Sequence, residues 1–259
     1  MRLAFLGGIY SNYHALVAAL DDIERRGVNA IYFLGDLGAF GPYPDRVPEL
    51  LRERGIAGIQ GNYEESLATR AGDCHCGYTD PRDNHFAQLS YDYTFANTSD
   101  AHKDWMATLP REIRFTAGGL RFLLVHGSPR TINEFLWRST SPDPFLEKLC
   151  RDHDADVIVC THTGLHWHKA LADGRHVINA GVIGRPANDG KTNVWYALVD
   201  VNGRELAVDF MPVDYDHQRL AVEMRDERLP AQFVETILTG WWTTCLEILP
   251  PKERAGGRF

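Results

Sequence analysis

The stretch RLAFLGGIYSNYHALVAALDDIERRGVNAIYFLGD, Arg2 to Asp36, decides the fold. RLAFLGGI is an apolar strand entering a loop with two glycines, and Asn12 stands at the mouth of a helix. In HALVAALDDIERRG, Leu16, Ala19, Leu20 and Ile23 recur at helical spacing, and Gly27 supplies a stop signal. AIYFLGD follows as a second buried strand. Downstream, DRVPELLRERG reads as a short helix ending at Gly55 and IAGIQGN as a third strand. Strands alternating with helices imply a mainly parallel sheet.

The pattern weakens between Glu64 and Pro110, where GDCHCGYTDPRDNH reads as a loop and the segment after it as one or two helices. GLRFLLVHG, DVIVCTH and HVINAGVIG are further strands, with PDPFLEKLCRDHDA a helix between the first two. NVWYALVDVNGRELAVDFMPV is a hairpin turning at Asn202-Gly203. HQRLAVEMRDERLPAQFVETILTGWW predicts helix on both sides of Pro230. The remaining tail is expected to be a surface arm whose start is docked by Trp241, Trp242, Leu246 and Ile248.

With 259 residues and 44% hydrophobic composition, the chain has ample material for a buried core. A formal charge of −8 argues against a nucleic-acid or anionic-membrane partner, which calls for a basic surface. A small anionic ligand stays compatible, because a local metal overrides the global sign. The one N-terminal apolar run, LAFLGGI, is short for a membrane span and lacks the marks of a signal peptide, which points to a cytoplasmic protein. Five cysteines, an odd number, fit that reading better than a disulfide framework.

Four predicted strands end on a polar residue followed by a turn: Asp36, Asn62, His126 and His162. The carboxyl ends of parallel strands open onto one edge, so these side chains should converge where such folds place ligands. Each taken singly is ordinary, a helix cap or a hydrogen-bonded core histidine. Together they make a first shell suited to one divalent transition ion, Mn, Fe or Zn.

The blocks GDLGAFGPYPDRV, GNYE, VHGSP, THTG and INAGVIGRP, in this order, resemble the signature blocks of the calcineurin-like metallophosphoesterase superfamily, in particular its small bacterial and archaeal phosphodiesterase branch. The resemblance runs from Leu3 to about Asp216. It implies an α/β fold, a four-layer α-β-β-α sandwich of two mixed sheets flanked by helices over residues 1–216, with a helical extension and tail over 217–259 packed on the same domain. It also implies two metals about 3.5–4 Å apart that clamp a phosphate. Asp36 then matches the bridging aspartate, and Asn62, His126 and His162 the other ligands of one position. At the second position the family's aspartate and two histidines are replaced by Gly8, Tyr10 and Gly164, and the histidine of its GNH block by Tyr63.

The expected function is therefore that of a divergent metal-dependent phosphoesterase with one metal per chain, acting on a small anionic, phosphorylated or nucleotide-like molecule. Tyr10, Tyr63 and Arg130 are the candidates to stand in for the lost electrophile, and Arg185 is a further anion contact; packing at the strand edge is the plain alternative for each tyrosine. Two other uses of the frame are single-metal redox chemistry, with iron as a candidate, and ligand binding without catalysis. Cys74, His75 and Cys76, with His14, His166 and His168, are residues that would refill the second position. An empty position, or one filled by Tyr10 and solvent, is the favoured expectation, because the CxC loop has no evident inward anchor. On that view, restoring Gly8→Asp, Tyr10→His and Gly164→His would raise the metal stoichiometry.

Overall fold

The computed structural model describes residues 1–256. In chain order its elements are β1 (Arg2–Leu6), α1 (Tyr13–Arg25), β2 (Ala30–Phe33), α2 (Arg46–Glu53), β3 (Ala57–Gly58), α3 (Asn62–Thr69), α4 (Pro81–Asn97) and α5 (Asp100–Met106). There follow β4 (Ile113–Ala117), β5 (Leu120–Leu124), α6 (Asp143–Asp152), β6 (Val157–Cys160), β7 (His166–Ala170), β8 (His176–Ala180), β9 (Val194–Asn202), β10 (Glu205–Val213), α7 (His217–Asp226), α8 (Ala231–Thr239) and α9 (Pro251–Arg254).

They build two mixed five-stranded sheets, ordered β10-β9-β1-β2-β3 and β4-β5-β6-β8-β7. β1 and β2 pair in parallel, as the opening stretch requires, and β5, β6 and β8 are parallel in the second sheet. The two-residue side-chain period of the strands sorts the core into layers. Leu3 and Phe5 face Phe122, Val157 and Val159 between the sheets. Ala4 and Leu6 face the other way, onto Leu16, Ala19 and Leu20 of α1. Leu123, Ile158 and Cys160 turn outward onto Leu146 and Cys150 of α6. Helix, sheet, sheet and helix thus follow one another, as expected.

Three expectations need adjusting. Between Glu64 and Pro110 the expected helices are α4 and α5, but α3 precedes them and α4 begins inside the presumed loop, where Asp80 caps the N–H groups of Arg82 and Asp83 ahead of Pro81. The β9–β10 turn is Gly203-Arg204, since Asn202 still pairs with Glu205. The segment after α8 is docked more deeply than a surface arm: Trp242, Cys245 and Leu249 are buried, whereas Trp241 is 40% exposed. Asp83 of α4 clamps that segment by accepting hydrogen bonds from the backbone of Leu246 and Ile248, both at 3.1 Å. No helix among the described residues is long and apolar enough to cross a membrane.

Candidate metal centre

Asp36, His126 and His162, just beyond strand ends, come together with Asn62, which was expected at a strand end and is instead the first residue of α3. Donor atoms of Asp36, His126 and His162 all lie within 4.8 Å of one another, and all three residues are buried. His126 Nε2 is 3.3 Å from Asp36 Oδ2, 3.1 Å from His162 Nδ1 and 3.1 Å from Asn62 Oδ1. One imidazole nitrogen thus faces three other donors at a single point.

Supporting contacts aim each group. His126 Nδ1 lies 2.6 Å from the Leu34 carbonyl, an acceptor that fixes the N–H on Nδ1 and leaves the Nε2 lone pair for the centre. Asn62 Nδ2 donates to the Cys74 carbonyl at 2.8 Å, which turns Oδ1 inward. Gly61 lets the chain pass close by: a Cβ there would lie 2.6 Å from Asp36 Oδ1 and 2.8 Å from His126 Cε1. Asp36 and His162 themselves occupy the left-handed region, at φ 55° and 68°, as do Tyr10, Ser11, Ala39 and Phe40 around them.

Glu64, quoted in GNYE without a role, organises this geometry. Its buried carboxylate accepts the backbone N–H groups of Asp36 at 2.7 Å, Leu37 at 2.8 Å and Gly61 at 2.7 Å. The readable signal was a glutamate at the third helical position of α3, the place of a capping box. Burial, and next the Asp36 charge, push the Glu64 carboxyl up to about 7, against the three donors that favour its charged form. Glu64→Gln sets an amide NH2 against N–H donors, so the Asp36 turn should loosen and metal affinity fall about 10- to 100-fold, the range for a lost supporting contact. Calorimetric titration with Mn2+ measures it, and an unchanged affinity would remove Glu64 from the site.

The electrostatics suit a cation. Burial disfavours charge on His126, but the Asp36 carboxylate outweighs it and raises the imidazole above its ordinary value. Burial tends to raise Asp36 in turn, and His126 and His162 bring it below the usual carboxylate range. Burial, followed by repulsion from His126, lowers His162 to about 3. His162 Nε2 is buried without a hydrogen-bond partner. A neutral imidazole whose Nδ1 lies 3.1 Å from His126 Nε2, beside a carboxylate and a second imidazole, is a donor set fitted to a divalent transition ion.

The second position is not an empty frame. Tyr10 is buried, its ring lies against Phe40, and a Cβ added to Gly8 would fall 2.6 Å from Tyr10 Cε1. A Cβ at Gly164 would fall 2.6 Å from Trp242 Cη2 and 3.5 Å from Arg185 Nη2. Tyr10, Trp242 and Arg185 thus stand where the family ligands would project. Tyr10 was expected there, whereas Trp242 and Arg185 were not. Burial raises the Tyr10 phenol far above its ordinary value. Tyr63 is buried too, its hydroxyl 2.9 Å from Ser90 Oγ. Arg130 is placed outside the cluster, ion-paired to Glu134 and stacked at 4.9 Å on Phe145.

The expectation that the CxC loop lacks an inward anchor is corrected. Asn62 holds the Cys74 carbonyl, its Nδ2 is 3.4 Å from Cys76 Sγ, and Asn133 donates to the His75 carbonyl at 2.9 Å. Cys74 and Cys76 form a disulfide, while Cys150, Cys160 and Cys245 are free and buried. His14 is spent on Glu223 at 2.6 Å, His168 on His176 at 3.0 Å, and His166 packs against Trp195 and Phe210.

Two sheets flanked by helices, with aspartate, asparagine and two histidines meeting at strand ends, define a metal-dependent phosphoesterase fold. The family model of the calcineurin-like phosphoesterase superfamily domain matches residues 1–204, and the chain belongs to that superfamily. It is similar to an uncharacterized protein of Methanocaldococcus jannaschii, 25% identical over 247 residues that cover 92% of this chain and 98% of the relative. Among solved structures it is similar to a hypothetical protein of Pyrococcus horikoshii, with a TM-score of 0.78 and 24% identity. A metallophosphoesterase of Sphaerobacter thermophilus follows, with a TM-score of 0.70 and 24% identity. Each alignment covers 93% of this chain and 99% of the other.

Proposed function

We propose that the chain is a phosphoesterase that works from one metal position, held by Asp36, Asn62, His126 and His162, and hydrolyses a small phosphorylated or nucleotide-like molecule. The observation that carries this reading is the convergence of buried Asp36, His126 and His162 donor atoms within 4.8 Å of one another, with His162 Nδ1 3.1 Å from His126 Nε2. A bound divalent ion, Mn, Fe or Zn, supplies Lewis acidity toward a phosphoryl oxygen. The protein's part is orientation: the Leu34 carbonyl sets the His126 tautomer, Glu64 holds the Asp36 turn, and the Cys74 carbonyl turns the Asn62 amide. Tyr10 and Tyr63 serve as wall rather than as acids, since burial holds both phenols protonated far above neutral pH.

Protein purified without added metal should carry about one transition ion per chain by elemental analysis. Hydrolysis of bis(p-nitrophenyl) phosphate should be weak, stop on chelation and return with Mn2+. Turnover that persists after chelation, or that requires two metals per chain, would overturn the reading. A second use of the same site, redox chemistry at a single metal, is favoured by the disulfide-forming Cys76, whose sulfur lies 3.4 Å from the Asn62 amide. A Cys74 or Cys76 sulfur about 2.3 Å from the bound metal would decide for it.

A further inference from the structure

Arg185 is an unusual cation for a protein interior. It is 6% exposed, its Nε has no hydrogen-bond partner, and no carboxylate among the described residues forms an ion pair with it. Its neighbours are rings: the guanidinium carbon lies 3.5 Å from the Trp242 ring centroid, 4.9 Å from that of Phe40 and 5.7 Å from that of Tyr10. Rings attract the face of a guanidinium, whereas its N–H donors lie in its plane. A buried charge held only by its faces is incompletely compensated, and its edge remains free to bind an anion.

The placement is built. The Gly8 carbonyl accepts the N–H groups of Ile183 and Gly184, both at 3.0 Å, and Asn12 Nδ2 donates to the Gly184 carbonyl at 3.1 Å. These bonds fix the turn that carries Arg185 to the first loop. From the other side, Trp242 Nε1 donates to the Pro186 carbonyl at 2.6 Å, and the Trp242 backbone N–H donates to Asn188 Oδ1 at 2.9 Å. Arg185 Nη2 would lie 3.5 Å from a Cβ on Gly164, two residues beyond the donor His162. The Tyr10 backbone N–H donates to the Asp36 carbonyl at 3.1 Å, and the Arg185 guanidinium carbon lies 5.7 Å from the Tyr10 ring centroid. A fixed positive charge therefore stands beside the Asp36 cluster, on the side of Gly8 and Gly164.

We propose that Arg185 is the phosphoryl-binding residue of this chain, its planar fork holding two oxygens of a phosphate ester whose third lies toward the Asp36, His126 and His162 donors. This deepens the phosphoesterase reading and rests on it for the nature of the ester. Planar N–H pairs match phosphate oxygens in a way that a point charge does not. A cavity of about 10 Å3, room for a single water, borders the guanidinium on the side of α7 and α8, where Phe40, Leu220, Met224, Phe233 and Ile237 dominate its lining and none of the four cluster residues takes part.

The test uses full-length, Mn2+-loaded protein and inorganic phosphate as the probe, titrated by calorimetry, with Mn2+ affinity measured separately. Arg185→Met should weaken phosphate binding about 10- to 100-fold, the range for lost charge-assisted hydrogen bonds, with Mn2+ affinity unchanged. Arg185→Lys keeps the charge but not the fork and should fall between, and it serves if the methionine variant does not fold. Added guanidinium ion should restore part of the phosphate affinity of Arg185→Met. Equal phosphate affinity in native, Met and Lys proteins overturns the proposal, as does a native protein that binds no phosphate. Native protein that binds phosphate through Arg185 yet hydrolyses no ester upholds this assignment and fails the phosphoesterase reading. Ester hydrolysis indifferent to Arg185 does the reverse.

Discussion

Alanine at His162 should leave the protein folded and almost free of metal, whereas alanine at His126 should remove the metal and destabilise the fold as well. Both imidazoles converge on the centre, so either loss should lower metal affinity at least about 100-fold, beyond what a supporting contact contributes. The difference lies in the metal-free protein. His126 is the main counter-charge to the buried Asp36 carboxylate, and without it that charge is stranded. Breaking a buried pair in this way costs about 3–5 kcal/mol. His162 stays neutral there, since burial lowers it to about 3, and its removal strands no charge. Elemental analysis gives the first result, and urea unfolding of the metal-free variants the second. Full metal retention in both variants would rule out the site, and equal unfolding curves would rule out the ion-pair account.

Restoring the family's second set of ligands should fail. Gly164→His places a side chain on a residue with φ 79° and drives its Cβ to 2.6 Å from Trp242. Left-handed backbone costs a non-glycine residue roughly 1–2 kcal/mol and overpacking a further 1–3 kcal/mol, so about 2–5 kcal/mol of stability should be lost. Combined with Gly8→Asp and Tyr10→His, the change should still add no second metal, because the Arg185 cation occupies the neighbourhood. Metal content should rise only when Arg185→Met and Trp242→Ala accompany the triple change. A triple variant that unfolds like the native chain and binds two ions would show that the filling yields easily.

Much of this was legible in the sequence because it depends on local pattern. Leu16, Ala19, Leu20 and Ile23 face one layer because helix periodicity leaves them no other, and strand ends meet because parallel topology orients them alike. The faces of α4 could not be assigned because it is buried on more than one side: Phe86 packs under α7 and α8, while Ala87 and Tyr91 join the core beneath the first sheet. A helix with two covered faces shows no single apolar stripe. Trp242 was legible as docked but not as to where, since its partners, the Pro186 carbonyl and the Arg185 guanidinium, are set by tertiary folding and leave no spacing to read. The CxC loop was misjudged for the same reason: its anchor is the far side of Asn62, a residue read only as a ligand.

The left-handed residues around the centre have a consequence for how this protein can evolve. Tyr10, Ser11, Asp36, Ala39, Phe40 and His162 all hold positive φ, a conformation that costs of order 1–3 kcal/mol where the surroundings enforce it. Glycine would relax most of them, yet at Asp36 and His162 it would delete a candidate metal donor. Selection for heat resistance and selection for chemistry therefore pull these two positions in opposite directions. Ala39, at φ 104°, carries no donor group, so a thermally adapted descendant can relax its backbone there while leaving the chemistry intact.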